Sequence, residues 1–160
     1  MSCIRRLSEF LDAHAARYVL VNHSRAFTAQ EIAASLHVPG REMAKTIVIR
    51  TERGLALVVV RAQDHVNLDR AGLELGGTAV LASELEFGAA FLDCELGAMP
   101  PFGLLYRLPT LVDRELTRDE EIVFNAGSHT SVVRMPYAEY AMLVKPRVCD
   151  VALRAGQLVG

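Results

Sequence analysis

The chain lacks the sequence marks of most familiar catalysts. It has five histidines, His14, His23, His37, His65 and His129, and no two stand at the i,i+4 spacing of a helical zinc site. It has no phosphate-binding P-loop, no G-x-S-x-G nucleophile elbow and no dinucleotide fingerprint. An enzyme with this sequence is therefore expected to work without metal, cofactor or Ser-His-Asp triad. Cysteine occurs three times, as Cys3, Cys94 and Cys149, with no C-x-x-C pair. That odd, scattered set predicts no disulfide framework and a reducing, cytoplasmic setting. The longest apolar run, Leu55 to Val60, falls far short of the roughly 20 residues that span a bilayer. Arg5-Arg6 has no apolar signal core behind it, so no membrane partner or leader is expected. Net charge is only −2, which excludes a generally basic nucleic-acid binder and leaves room for a local basic patch. Tryptophan is absent, yet 51% hydrophobic and 22% charged residues make an ordinary globular composition.

What is present reads as one domain, residues 1–160, of mixed α/β or α+β class. A chain of this length buries about 70% of its unfolded surface. Ile4, Leu7, Leu11 and Ala15 recur at helical spacing, and Tyr18 to Val21 reads as a short strand. Thr28-Ala29-Gln30-Glu31 and Ser83-Glu84-Leu85-Glu86 are both capping boxes, in which the hydroxyl takes an orphan N–H and the glutamate reaches back. The first opens a helix stopped by Pro39-Gly40, the second a helix through Leu92. Thr46 to Arg50 and Leu55 to Val60 flank Thr51-Glu52-Arg53-Gly54, a hairpin signal. The second of these strands is apolar throughout, which predicts cover on both faces. A helix is expected over Leu68 to Leu75. Short strands are expected at Ala79 to Leu81, Leu104 to Tyr106, Thr110 to Val112, Glu121 to Asn125 and Ser131 to Arg134. Pro136 suits the first turn of a final helix. The tail beyond Pro146 carries little pattern. Hairpins mixed with helices point to a mixed sheet rather than a doubly wound parallel one.

The most informative stretch is Gly97-Ala98-Met99-Pro100-Pro101-Phe102-Gly103. Prolines fix φ and glycines admit angles other residues avoid, so this loop can hold backbone N–H groups in a set direction, as an oxyanion site requires. Cys94, just ahead of it, lies between Asp93 and Glu95, whose charges oppose thiolate formation and favour a structural thiol. Lys45 precedes a β-branched strand, and the residues alone read it as a solvated lysine at a strand edge. Gly127-Ser128-His129 reads equally as a hairpin turn or as a second loop facing a pocket.

Ala44-Lys45-Thr46-Ile47-Val48, the Gly97–Gly103 loop and Val123-Phe124-Asn125-Ala126-Gly127-Ser128 together resemble the three signature blocks of the YbaK/prolyl-tRNA-synthetase-associated domain family. The likeness runs from Tyr18 to Pro146, with the blocks in family order. It implies a mixed, barrel-like β-sheet core flanked by helices and hydrolysis of mischarged aminoacyl-tRNA by a free-standing protein. The implied partners are the tRNA 3′ acceptor end and an aminoacyl-tRNA synthetase, with no DNA. It further implies that Lys45 lies in the editing pocket near the terminal adenosine, and that Gly97 and Ala98 supply backbone donors. Gly127 and Ser128 would bring a second turn and a hydroxyl. Met99 and Phe102 would form the pocket wall with Cys94 close by, His129 would orient water or touch the amino acid, and His23 and Thr28 would stand on the rim. Such a wall favours a small or medium uncharged aminoacyl group, with alanine, cysteine and serine leading. Many members have Thr-Gly where this chain has Asp93-Cys94-Glu95-Leu96. An inactive tRNA- or synthetase-binding module and an unrelated hydrolase on the same scaffold are the competing readings.

Overall fold

The computed structural model describes residues 2–25 and 28–154. Helix α1 (Cys3–Ala13) is capped by the Ser2 hydroxyl, which accepts from Arg5 N–H, and it buries Cys3, Leu7 and Leu11. Ala15, expected on its apolar face, lies beyond the helix with φ +52°, so the chain has already turned away. Strand β1 (Val19–Asn22) leads into α2 (Ala29–Leu36), whose Thr28–Glu31 capping box is complete. The predicted hairpin follows as β2 (Ala44–Thr51) and β3 (Gly54–Arg61), paired antiparallel along their whole length.

Next come β4 (His65–Val66), α3 (Leu68–Glu74), β5 (Ala79–Leu81) and α4 (Glu84–Ala90), the last opened by the Ser83–Glu86 capping box. The remaining elements are β6 (Thr110–Asp113), β7 (Glu121–Asn125), β8 (Ser131–Pro136), α5 (Tyr137–Val144), β9 (Arg147–Cys149) and β10 (Ala152–Leu153). Leu104 to Tyr106, expected as a strand, is instead part of a 3₁₀ turn, Gly103–Tyr106. Leu108 N–H bonds back to the Gly103 carbonyl and Arg107 adopts a left-handed conformation, so those residues cannot extend.

Five strands form one sheet in the order β5-β2-β3-β6-β9, antiparallel from β5 to β3 and parallel from β3 to β9. A second, antiparallel sheet runs β1-β8-β7, and β10 pairs with β4. Among the described residues the two larger sheets are joined by one isolated bridge, Met43 to Val123. The result is mixed, as expected, but it is not a closed barrel: β5 and β9 are free edges of an open sheet.

Strand β3 lies at the centre of this arrangement. Leu57, Val58, Val59 and Val60 are all fully buried. Val59 faces the largest core cluster, with Leu7, Leu11, Phe102, Phe124 and Tyr140. Val58 and Val60 point the other way, onto Ala71, Leu111 and Val151. Two buried carboxylates, Asp64 and Asp113, sit near the end of this sheet and both pair with Arg154, at 2.8 and 2.9 Å. Burial of an unpaired carboxylate costs several kcal/mol, on the order of 3–5 when a partner is removed, so this arginine is structurally required. Among the described residues no helix is long and apolar enough to cross a membrane.

Candidate functional site

Lys45 lies on β2, opposite Val60, at the point where the two large sheets diverge. The surrounding cavity, of about 230 Å³, has a polar side formed by His23, Arg25, Lys45, Asn125 and His129. Its apolar side comes from Ala29 and Ile32 of α2, with Met43 and Ala62. Burial pulls the Lys45 ammonium below the usual lysine range, and the negative charge of Asp64 opposes that only in part. Lys45 makes no hydrogen bond or ion pair with any described residue. A half-buried cation without a partner among the described residues is poised for an anionic or carbonyl-bearing ligand.

The Gly97 loop and the Gly127 turn are laced to each other. Gly127 N–H donates to the Ala98 carbonyl at 2.8 Å, Glu95 N–H to the Gly127 carbonyl at 2.9 Å, and Ala98 N–H to the Glu95 carbonyl at 3.1 Å. Both glycines have positive φ, +82° at Gly97 and +100° at Gly127, a conformation that side chains with a Cβ avoid. The lacing corrects one expectation: the Ala98 N–H is already committed and is not an open donor. Among the described residues the Gly97 and Ser128 N–H groups have no acceptor, and neither do those of Leu96 and Met99.

Glu95 ties three segments together. Its Oε2 accepts from His129 N–H at 3.1 Å and from Arg25 at 2.8 Å. The His129 N–H bond, with the Arg25 charge behind it, holds the Glu95 carboxyl below the usual carboxylate range. His129 Nε2 lies 2.7 Å from the Leu96 carbonyl. A carbonyl only accepts, so Nε2 carries a proton, and in the neutral ring Nδ1 is the acceptor. A Cβ on Gly97 would stand 3.5 Å from His129 Cε1, so the ring rests directly on that glycine.

The structure thus divides the residues named from sequence. Lys45, His23 and His129 share the first cavity. Gly127, Ser128 and Cys94 border a second, more open one of about 470 Å³, together with Cys3 and Asp93. The Ser128 hydroxyl is occupied within its own turn, 2.8 Å from Thr130 Oγ1 and accepting from Thr130 N–H. Thr28 serves as the α2 cap and does not line the Lys45 cavity. Met99 and Phe102 form no pocket wall. Met99 is buried against Val48, Leu57 and Phe91, and Phe102 against Phe10, Phe124 and Tyr140. The prolines aim this loop's side chains inward, and the wall is made instead by Ile32 and Met43. Arg25 carries no local sequence signal, since only the fold brings it into the Lys45 cavity, and Glu95 reaches it only through the bond to Arg25.

Cys94 differs from expectation most. It forms a disulfide with Cys3, whose Cα is 5.0 Å away, where the sequence predicts no such bond. The pair is 91 residues apart, and spacing alone gives no hint of it. Tyr106 OH donates to Asp93 at 2.9 Å and lies 3.1 Å from the Cys94 sulfur, while Arg6 pairs with Asp93 at 3.2 Å. The two sulfurs and an Asp93 oxygen fall within 4.8 Å of one another. With the sulfurs joined, neither offers a thiolate to a metal.

Residues 23–143 match the profile of the aminoacyl-tRNA editing domain. The multifunctional Ser/Thr-tRNA deacylase ProXp-y of Escherichia coli K12 is 27% identical over 152 residues, covering 91% of this chain and 90% of that protein. The fold is shared with the crystal structure of a proposed trans-editing enzyme for prolyl-tRNA synthetase, at TM-score 0.82 and 22% identity, over 96% of this chain and 98% of that one. The three signature blocks, the mixed sheet and the matched span agree, and this chain belongs to the aminoacyl-tRNA editing domain family.

Proposed function

We propose that this protein deacylates mischarged aminoacyl-tRNA in trans, with the Lys45 cavity receiving the tRNA 3′ end. The observation that carries this reading is the half-buried Lys45 ammonium, without a partner among the described residues, in a cavity it shares with His129, whose ring rests on Gly97. An aminoacyl ester is already activated, so the protein needs to place a water and stabilise the oxyanion rather than supply a strong nucleophile. Gly97 N–H donates to the developing oxyanion. Lys45 pairs with phosphate or with the reacting ester as a compact point charge. His129 Nδ1 accepts a hydrogen bond from the attacking water. The acyl C–O bond then breaks, and the terminal ribose hydroxyl leaves with the proton.

The aminoacyl group is serine or threonine. The cavity is small, and Asn125 provides hydrogen-bonding capacity that an alanyl side chain would leave unused. The name of the Escherichia coli relative agrees with this choice. Sites built to bond a hydroxyl reject analogues lacking it far more strongly than apolar pockets sort by size. Hydrolysis of Ser-, Thr-, Ala-, Cys- and Asp-tRNA by the purified protein tests the reading. Ser- and Thr-tRNA are expected to be cleaved fastest. Preference for Asp-tRNA would refute the pocket, and no hydrolysis of any would refute the activity.

A further inference from the structure

The Cys3–Cys94 bond joins the first turn of α1 to the segment that launches the Gly97 loop, three residues ahead of that glycine. Cys3 N–H also donates to the Asp93 carbonyl at 3.0 Å. On its other side Cys3 packs on the Gly127 turn so closely that a Cβ on Gly127 would fall 2.5 Å from its sulfur. Next to Cys94, the Glu95 N–H holds the Gly127 carbonyl, and the Glu95 carboxylate holds His129 and Arg25. Every segment that positions the open Gly97 and Ser128 donors therefore touches this one covalent link or its immediate neighbour.

We propose that Cys3 and Cys94 form a reversible thiol–disulfide site, with glutathione disulfide as its co-reactant, whose closure orders the Gly97 and Gly127 loops and raises deacylation. The effect on activity rests on the deacylase reading above. A protein acting on tRNA works where glutathione keeps most thiols reduced, and disulfides in that setting are characteristically transient or redox-sensing. The open cavity bordered by Ser2, Leu92, Cys94 and Ser128 gives a thiol reagent its approach. Cys94 is partly exposed while Cys3 is only 2% exposed, which sets the order of events.

Cys94, deprotonating against the opposition of Asp93 and Glu95, attacks as the thiolate on one sulfur of glutathione disulfide and expels one glutathione thiolate, leaving a mixed disulfide. The Cys3 thiolate then attacks the Cys94 sulfur and expels the second glutathione thiolate. The two protons lost by the protein thiols end on the two glutathiones, and two electrons pass from the protein to the co-reactant. Reduction runs the same steps backwards. The reduced protein stays folded, because α1 keeps Leu7 and Leu11 in the main core. Cys149 takes no part: it is buried, and burial pushes its thiol up to about 11.

The experiment equilibrates the protein in glutathione buffers from fully reduced to fully oxidised, then measures alkylation by mass spectrometry, thermal unfolding, amide exchange and deacylation. Oxidation is expected to protect Cys3 and Cys94 together and to raise the unfolding temperature by roughly 5–10 °C. It should also slow exchange at Ala98 and Gly127 and raise kcat/KM at least about fivefold, the lower end of coupling between linked sites. Cys3→Ser and Cys94→Ser should both lose the response, and Cys149→Ser should keep it. Cys3 and Cys94 both alkylating at every glutathione ratio would overturn the proposal, as would a bond that forms without changing exchange in either loop. If the bond forms and exchange slows while no tRNA is cleaved in either state, the redox site stands and the deacylase reading falls.

Discussion

Two neighbouring cavities share the Gly97–His129 region and are built on opposite principles. Around the disulfide, Tyr106, Asp93 and Arg6 close on one another, and no cation is left without a counter-charge. In the Lys45 cavity a cation sits half out of water with no bond to any described residue, beside a histidine nitrogen left as an acceptor. Both regions are polar, but only the first pairs its cation within itself. A cation held half out of water without a counter-charge is left for a ligand to pair, because a merely structural corner gains stability by pairing its own charges.

The contrast is broken most severely at Lys45. Lys45→Ala is expected to lower deacylation by about 10- to 100-fold, the effect of one bond from a charged group, without lowering the unfolding temperature. Turnover equal to wild type would remove Lys45 from the chemistry.

Gly127→Ala attacks the completed side. Its Cβ collides with Cys3 at a positive φ, so a stability loss of about 2–4 kcal/mol is expected in chemical denaturation, from overpacking plus backbone strain. Gly97→Ala sharpens the same comparison, since its Cβ meets only the edge of His129. There the stability loss should stay near 1–2 kcal/mol, from φ alone, while activity falls about tenfold or more as the N–H and the histidine are displaced. Equal losses of stability in the two variants would erase the distinction.

A smaller effect is expected where the cavities join. Glu95→Gln keeps an acceptor for His129 N–H but removes the attraction for Arg25, which is 62% exposed. Exposed pairs of this kind contribute about 0.2–1 kcal/mol, so KM should rise up to about fivefold with kcat nearly unchanged. A fall in kcat alone would show that Glu95 acts on the reacting centre instead.

The smallest effect is one of pH. Burial disfavours charged Lys45 in the folded protein, so the unfolded chain holds its proton to higher pH. The resulting penalty is present at neutral pH and is relieved as pH rises from the depressed folded value towards the ordinary lysine range near 10.5. Lys45→Met should therefore unfold at a slightly higher temperature than wild type at pH 7, with the gap narrowing towards pH 10. A gap that widens would reverse the sign of the argument.

Features encoded by near neighbours were legible in the sequence. The Thr28 and Ser83 capping boxes, the β2–β3 hairpin and the doubly covered β3 each depend on residues within one element or its turn. Strand β9 was not legible, because three residues beginning with an arginine carry no periodicity and pair only once β6 is in place. At the site, Lys45 became visible through the resemblance alone, since its own surroundings read as a solvated strand edge. The Gly97 loop was recognisable as stiff, but stiffness does not say which way Met99 and Phe102 point, and they point into the core. The disulfide and the Glu95–Arg25 contact join residues 91 and 70 apart, a range at which no local pattern operates.

Arg154 gives the molecule a direction in time. Asp64 is synthesised 90 residues before the cation that neutralises it, and Asp113 waits for the same partner. Asp64 also attracts Lys45 in the folded protein. Pairing with Arg154 spends most of that aspartate's charge elsewhere. Replacing Arg154 is therefore expected to cost stability and, by leaving Asp64 to Lys45, activity as well.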